Sequence, residues 1–287
     1  MRTFPSLEIR FFMSDHDSSS GRTSLAALSS AVRFVVGFTL VAVASTLTLL
    51  LALLLLPFRV LRIKLCNYYG KIVGYSITRI AGVTPVLHHG ERIKQAHPAI
   101  YVANHTSTLD AFLSIWLCPV GGCGVMKKEV LRIPFFGQLY LLSGHLWLDR
   151  ANKGSAIAAM SGIARTVKKH GLSIWIMPEG TRSRDGRLRP LKLGFVHLAI
   201  ATGLPVVPVV LHGVHKNWVK HTLYVQPTTV DIEVLPPIDT SAWRAESARE
   251  HAAEVFEVFV EKLREDQKPL PGVPAVAEKE RGEPAAA

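Results

Sequence analysis

Ala99-Ile100-Tyr101-Val102-Ala103-Asn104-His105-Thr106-Ser107-Thr108-Leu109-Asp110 is the stretch on which the fold of this chain turns. Its first five residues are a short apolar run, consistent with a strand buried on both faces of a parallel sheet. Ser107 has the chemistry of a helix N-cap and Asp110 that of a first-turn acid, so a helix is predicted over 107–117. His105 then falls in the turn between strand and helix. On a continuous helix, residues five apart are rotated by about 140° and share no face. A strand-to-helix turn lets the His105 ring meet the Asp110 carboxylate.

Outward from this unit the pattern alternates. Residues 124–126, 146–148, 173–177, 206–211 and 222–235 read as strands, with Pro208 marking an irregular point or a sheet edge. Residues 153–170, 191–202 and 244–265 read as helices. The first of these carries Lys168, Lys169 and His170 in its last turn and stops at Gly171. Strand–helix alternation predicts an α/β fold with a mostly parallel central sheet flanked by helices.

Upstream, residues 34–58 contain no charged side chain. Some 25 helical residues reach about 37 Å, enough for a bilayer's hydrocarbon core. Two arrangements stay open: one membrane-spanning helix, or a hairpin with a second helix over 59–80 that dips into one leaflet. A cleaved signal peptide is not expected, since the run is long and no small-x-small site follows it. Arg59, Arg62 and Lys64 lie on its C-terminal side and place the main domain on the cytoplasmic face. The expected organisation is a disordered segment over 1–30, membrane-anchoring helices over 31–80, an α/β domain over 81–267 and a solvated tail over 268–287. Translation starts at Met1 or Met13.

The formal net charge of +11 points to an anionic partner. No zinc-finger or RNP-type signature is present and aromatics are sparse in the basic stretches, so nucleic acid is not expected and membrane lipids are. Cys66, Cys118 and Cys123 form no Cys-x-x-Cys pair and read as small buried hydrophobes. No His or Cys spacing suits a metal, and no cofactor is expected.

Chemistry concentrates in two places. His105 offers a base once Asp110 takes the proton of Nδ1. The pair alone reads equally well as a capping arrangement around Ser107. No Gly-x-Ser-x-Gly elbow accompanies it, so any nucleophile belongs to the substrate. Pro178-Glu179-Gly180-Thr181-Arg182-Ser183 ends a predicted strand with a tight turn, and Arg184, Arg187, Arg189 and Lys192 follow. Such a loop is a natural phosphate cradle, with Arg182 suited to a bidentate contact and the later arginines to a solvated face. Glu179 can pair with Arg182 or bind a substrate hydroxyl. Arg150, after the 146–148 strand, can reach the same phosphate.

Taken in order, four blocks resemble the glycerolipid acyltransferase family, and within it the 1-acyl-glycerol-3-phosphate acyltransferases. Asn104 to Asp110 matches the Asn-His-x4-Asp block. Gly144-His145-Leu146-Trp147-Leu148-Asp149-Arg150 resembles a Gly-x-x-Phe-Ile-Asp-Arg block, with Trp147 and Leu148 departing conservatively. Met177-Pro178-Glu179-Gly180-Thr181-Arg182-Ser183 matches the third block apart from Met177, and Val206-Val207-Pro208-Val209 is similar to the apolar fourth. Lys127-Lys128-Glu129 and Ile133-Pro134-Phe135-Phe136-Gly137 resemble the segment between.

The resemblance implies His105 as general base, oriented by Asp110, with Arg150, Glu179, Gly180, Thr181 and Arg182 binding the acceptor. It implies transfer of an acyl chain from acyl-CoA or acyl-carrier protein, as co-substrate, to a lysophospholipid hydroxyl. The leading expectation is the sn-2 hydroxyl of lysophosphatidate, giving phosphatidate for phospholipid synthesis. Another lysolipid acceptor, such as a lyso-ornithine lipid, is the alternative within the same chemistry. A non-catalytic membrane-binding protein is the alternative outside it.

Overall fold

The computed structural model describes residues 20–127, 131–148, 153–218 and 225–278. Helices α1 (Ser20–Leu54) and α2 (Arg59–Ile80) come first, followed by β1 (Val83–His88) and the short α3 (Glu91–Gln95). The sheet core begins with β2 (Ile100–Ala103), α4 (Asp110–Leu117) and β3 (Gly122–Lys127). Next come α5 (Phe136–Leu142), β4 (Leu146–Leu148), α6 (Lys153–His170) and β5 (Ser173–Ile176). The chain continues through α7 (Gly194–Thr202), β6 (Val206–His212), a 3-10 turn (Val214–Lys216), β7 (Thr228–Val234) and α8 (Ala248–Lys262).

The seven strands form one sheet in the order β1-β7-β6-β2-β5-β3-β4. Every pairing is parallel except β6 with β7. The α/β sheet flanked by helices is therefore as the sequence implies. The apolar run of β2 is explained by cover on both faces. Ile100 and Val102 point into a core closed by α6, α7 and α8, which contribute Val167, Phe195 and Phe259. Tyr101 and Ala103 point the other way, into a core closed by α2 and α4 through Val73, Ile77, Leu113 and Leu117.

Helices α2 and α4 approach closely because α2 carries Gly70 and Gly74 on the contact face. A Cβ at Gly70 would sit 2.6 Å from the Ile115 carbonyl oxygen, and one at Gly74 2.5 Å from that of Phe112. Asn67 ties the same helix to β3, accepting from the Gly121 amide at 2.8 Å and donating to the Gly122 carbonyl at 2.9 Å.

α1 runs antiparallel to α2 and is held at both ends. In its first half, Arg33 donates to the Ile80 carbonyl at 2.9 Å, and Phe34 packs edge-on against Trp218 with ring centroids 5.1 Å apart. Midway, Ser45 and Tyr69 share a hydrogen bond of 2.8 Å. At the far end the chain turns into α2, where Arg59 donates to the Gly144 carbonyl at 3.0 Å and Arg62 to that of Leu142. The outer face is apolar: Val35, Phe38, Leu47 and Leu54 on α1, with Leu61, Tyr68, Ile72 and Tyr75 on α2, are all exposed. Residues 27–54 are long and apolar enough to cross a bilayer, yet few of them are buried by the protein.

Two boundaries and the place of one proline differ from the sequence reading. α1 begins at Ser20, inside the stretch expected to be disordered to residue 30; residues 1–19 lie outside the described chain. The 268–278 part of the expected tail is packed. The Leu191 amide donates to Ala275 at 2.9 Å, the Ala277 amide returns to Leu191 at 3.0 Å, and Val276 is buried between them. Gln267 explains how: its buried side chain and carbonyl hold Gly213, Leu211 and Leu188, which fixes where the tail starts. Pro208 sits in β6, between β2 and β7, and not at an edge. Its carbonyl accepts from the Leu235 amide, so its nitrogen also faces β7, and the β6–β7 ladder runs from Val209 to His212. The one bond that Pro208 cannot return to Leu235 falls just past the last pair of that ladder, Val209–Val234.

Candidate active site

The turn 104–109 hangs from the carboxyl end of β2, beside the 177–183 loop that leaves β5. Asn104 fixes the strand end. Its side-chain amide donates to the Leu211 carbonyl at 3.0 Å and accepts the Leu211 amide at 2.8 Å, extending the sheet by one false peptide. Helix α4 starts at Asp110, three residues later than the predicted start, and the Asp110 carboxylate turns back onto the residues before it. Its Oδ2 accepts the amides of Thr106 at 2.6 Å and Ser107 at 2.7 Å. The same oxygen lies 3.0 Å from His105 Nδ1. Asp110 is fully buried, while the His105 side chain is 20% exposed. With two backbone amides already donating to that oxygen, the tautomer that fits puts the proton on Nδ1 and leaves Nε2 as the available base.

The 177–183 loop closes over the turn. Gly180 adopts φ +72°, the left-handed conformation expected of it. Arg182 donates to the Thr108 hydroxyl. The Ser183 amide donates to the His105 carbonyl at 2.9 Å. Glu179 Oε1 accepts the His105 amide at 2.7 Å. Glu179 is 2% exposed and faces inward. Burial, reinforced by the charge of Asp110, pushes its pKa well above the carboxylate range; the His105 amide, then the Arg189 amide and guanidinium, oppose this in part.

His105, Gly180, Thr181 and Arg182 open onto one cavity of about 410 Å³. It runs inward between α2, α4 and α5, past Tyr69, Ile115, Leu139 and Trp175, to Tyr140 and His145. His145 Nδ1 accepts the Gly124 amide at 3.2 Å, and its ring stacks on Tyr140. Burial, then the nearby Arg59 charge, lower its pKa to about 4, so the ring is neutral. Burial pushes the Cys118 and Cys123 thiols up to about 12, which leaves both protonated and unreactive, as their reading as buried hydrophobes implied. Among the described residues no cluster of three or more His, Cys, Asp or Glu can hold a metal.

The structure thus brings His105, Asp110, Gly180, Thr181 and Arg182 together. Arg150 lies outside the described residues, as do Asp149, Lys128 and Glu129. Arg187, read from sequence as solvated, instead donates to the Lys268 carbonyl at 2.7 Å and holds the tail. The sequence reading missed Asn104, Thr108 and Ser183 as residues that shape the site. It also missed the cavity walls on α2 and α5. The Phe135-Phe136-Gly137 segment was the available signal for α5, but nothing local aimed it inward.

The Acyltransferase family model matches residues 85–212. A protein of Limnanthes douglasii called 1-acyl-sn-glycerol-3-phosphate acyltransferase is 42% identical over 243 residues, covering 85% of this chain and 86% of that one. Its namesake from Escherichia coli K12 is 39% identical over 170 residues, covering 59% and 69%. The crystal structure of the 1-acyl-sn-glycerophosphate acyltransferase PlsC from Thermotoga maritima superposes with a TM-score of 0.69 at 23% identity, covering 83% of this chain and 94% of that one, and shows the same fold. Set beside an Asp110–His105 pair whose histidine lines an apolar cavity, these likenesses show that the chain is an acyltransferase of the 1-acyl-sn-glycerol-3-phosphate acyltransferase family.

Proposed function

We propose that this acyltransferase moves an acyl chain from an acyl thioester, on CoA or acyl-carrier protein, to the sn-2 hydroxyl of lysophosphatidate. The product is phosphatidate, for phospholipid synthesis. The observation that carries the reading is that His105 and Arg182 line one largely apolar cavity. A hydroxyl is a weak nucleophile until its proton is taken, and His105 is placed to take it. The alkoxide oxygen attacks the thioester carbonyl. Collapse of the tetrahedral intermediate expels the thiolate, which receives the proton back from Nε2. Asp110 stabilises the imidazolium between the two transfers. Arg182, with Thr181 at the cavity mouth, suits the phosphate of the acceptor, and Arg150 is proposed to join it. The apolar interior between α2, α4 and α5 suits a hydrocarbon chain.

The setting proposed is one leaflet of a membrane, with the catalytic domain on the cytoplasmic face. α1 is about 52 Å long by its helical rise. It is joined to the domain that carries the site at Phe34, and the start of α2 that follows it is joined there through Arg59 and Arg62, a geometry that a helix crossing to the far side cannot keep. The apolar outer face of α1 and α2 supports a hairpin that dips and returns. A single cysteine placed in the 55–58 turn tests this in vesicles, because a membrane-impermeant maleimide reaches it from the far side only if α1 spans.

The chemistry is tested with purified protein, labelled acyl-CoA or acyl-carrier protein and a panel of lysolipids, products being read by mass spectrometry. Phosphatidate is the expected major product, and His105→Ala is expected to make none. Faster acylation of a lyso-ornithine lipid than of lysophosphatidate would overturn the acceptor assignment.

A further inference from the structure

Glu179 stands inside the loop that carries Arg182 and looks away from the cavity. Gly180, Thr181 and Arg182 line that cavity and Glu179 does not. Its Oε1 holds the His105 amide at 2.7 Å, and the Ser183 amide holds the His105 carbonyl at 2.9 Å. The peptide groups on either side of the histidine are therefore gripped by one loop, independently of the grip of Asp110 on the ring. Glu179 Oε2 is buried and meets no donor in hydrogen-bonding geometry. Burial penalises the ionised carboxylate more than the neutral carboxyl. The group's raised pKa agrees with that form.

We propose that Glu179 is a positioning residue: it sets the place of His105 through the histidine's main chain and does not touch the acceptor. This rests on the acyl transfer proposed above. Asp110 fixes how the ring is turned, and Glu179 with Ser183 fixes where the ring stands. Displacement of a reacting group by about 1 Å can cost a hundredfold in rate. A buried amide that loses its acceptor has no water to replace it.

Three variants test the proposal, each checked for folding by its melting curve. Glu179→Gln keeps the accepting oxygen without the charge, so both kcat and KM are expected within about twofold of wild type. Glu179→Asp withdraws the oxygen by one methylene, and Glu179→Ala removes it. Both are expected to lose about a hundredfold in kcat while KM for lysophosphatidate stays within twofold. If Glu179→Ala does not fold, Glu179→Asp carries the comparison. A rise in KM with kcat kept would show an acceptor contact and overturn the proposal. Equal loss in Glu179→Gln and Glu179→Asp would show that the charge or proton of Glu179 acts in the reaction, and would also overturn it. The His105 amide resonance in 15N-labelled protein reads the same contact without substrate. It is expected unchanged in Glu179→Gln and moved upfield in Glu179→Asp, and identical spectra would overturn the proposal. An inactive wild type would instead remove the proposed function, leaving the resonance to judge the contact.

Discussion

His105 Nδ1 lies 3.0 Å from Asp110 Oδ2, and the same oxygen takes two backbone amides of the turn between them. One carboxylate therefore shapes the loop, opens α4 and fixes the tautomer of the base. Asp110→Asn keeps an oxygen for the amides but removes the charge that balances the imidazolium. Its kcat is expected to fall by roughly 10²- to 10⁴-fold. KM should barely move, because Asp110 is fully buried and does not line the cavity. Steady-state kinetics with lysophosphatidate checks both.

Arg182 is expected to act on binding. Charge-assisted hydrogen bonds contribute about 1.5–3 kcal/mol, so Arg182→Ala should raise KM for lysophosphatidate by roughly 10- to 100-fold. Arg182→Lys should recover only part of this, since a point charge cannot form the two-pronged contact. A lysolipid without a phosphate would show no difference among the three proteins, which makes it the control.

Gly74 supports the site from a distance. A methyl group there meets the Phe112 carbonyl at 2.5 Å, and Phe112 lies two residues after Asp110. Gly74→Ala forces α2 away from α4, at a cost of about 1–3 kcal/mol. Calorimetry in detergent should show a lower Tm, and turnover should fall with it. An unchanged Tm would mean that the two helices slide apart freely.

His145 gives the protein a defined acid sensitivity. Its pKa is about 4 in the fold against 6.5 when exposed, so the unfolded chain binds the proton first. Stability is full above about pH 6.5 and is lost as pH falls toward 4, by about 3 kcal/mol from this group. His145→Asn keeps an acceptor for the Gly124 amide and cannot titrate. Its Tm should vary less than the wild-type Tm between pH 6.5 and 4.

The parts of the fold legible in the sequence were those whose cause is local. The apolar run of β2, the periodic face of α6 with its Gly171 stop, and a turn that brings His105 to Asp110 could all be read from neighbouring residues. What stayed hidden depends on distant partners. β1, α3 and α5 are short, and tertiary contacts stabilise them more than periodicity marks them. Ser107 has N-cap chemistry, but its hydroxyl accepts the Leu109 amide within the turn, and the helix starts only at Asp110. Pro208 suggested an edge, and only the extent of the β7 ladder shows why a central strand tolerates it. The inward turn of Glu179 could not be read from a motif that names residues and not directions. The tail needed Gln267 and Leu191, far apart in sequence, to become ordered.

α1 is fastened to the catalytic domain at Phe34 and again through the turn into α2. On the proposed anchoring, greasy hairpin and chemistry form a single solid piece. How deep the hairpin sinks then sets the height of the cavity mouth above the lipid carpet. Acceptors are drawn only from the sheet of lipids in which the enzyme floats, and the newly made product is left in that same sheet. The composition of the opposite monolayer, and the thickness of the whole film, have no handle on the rate.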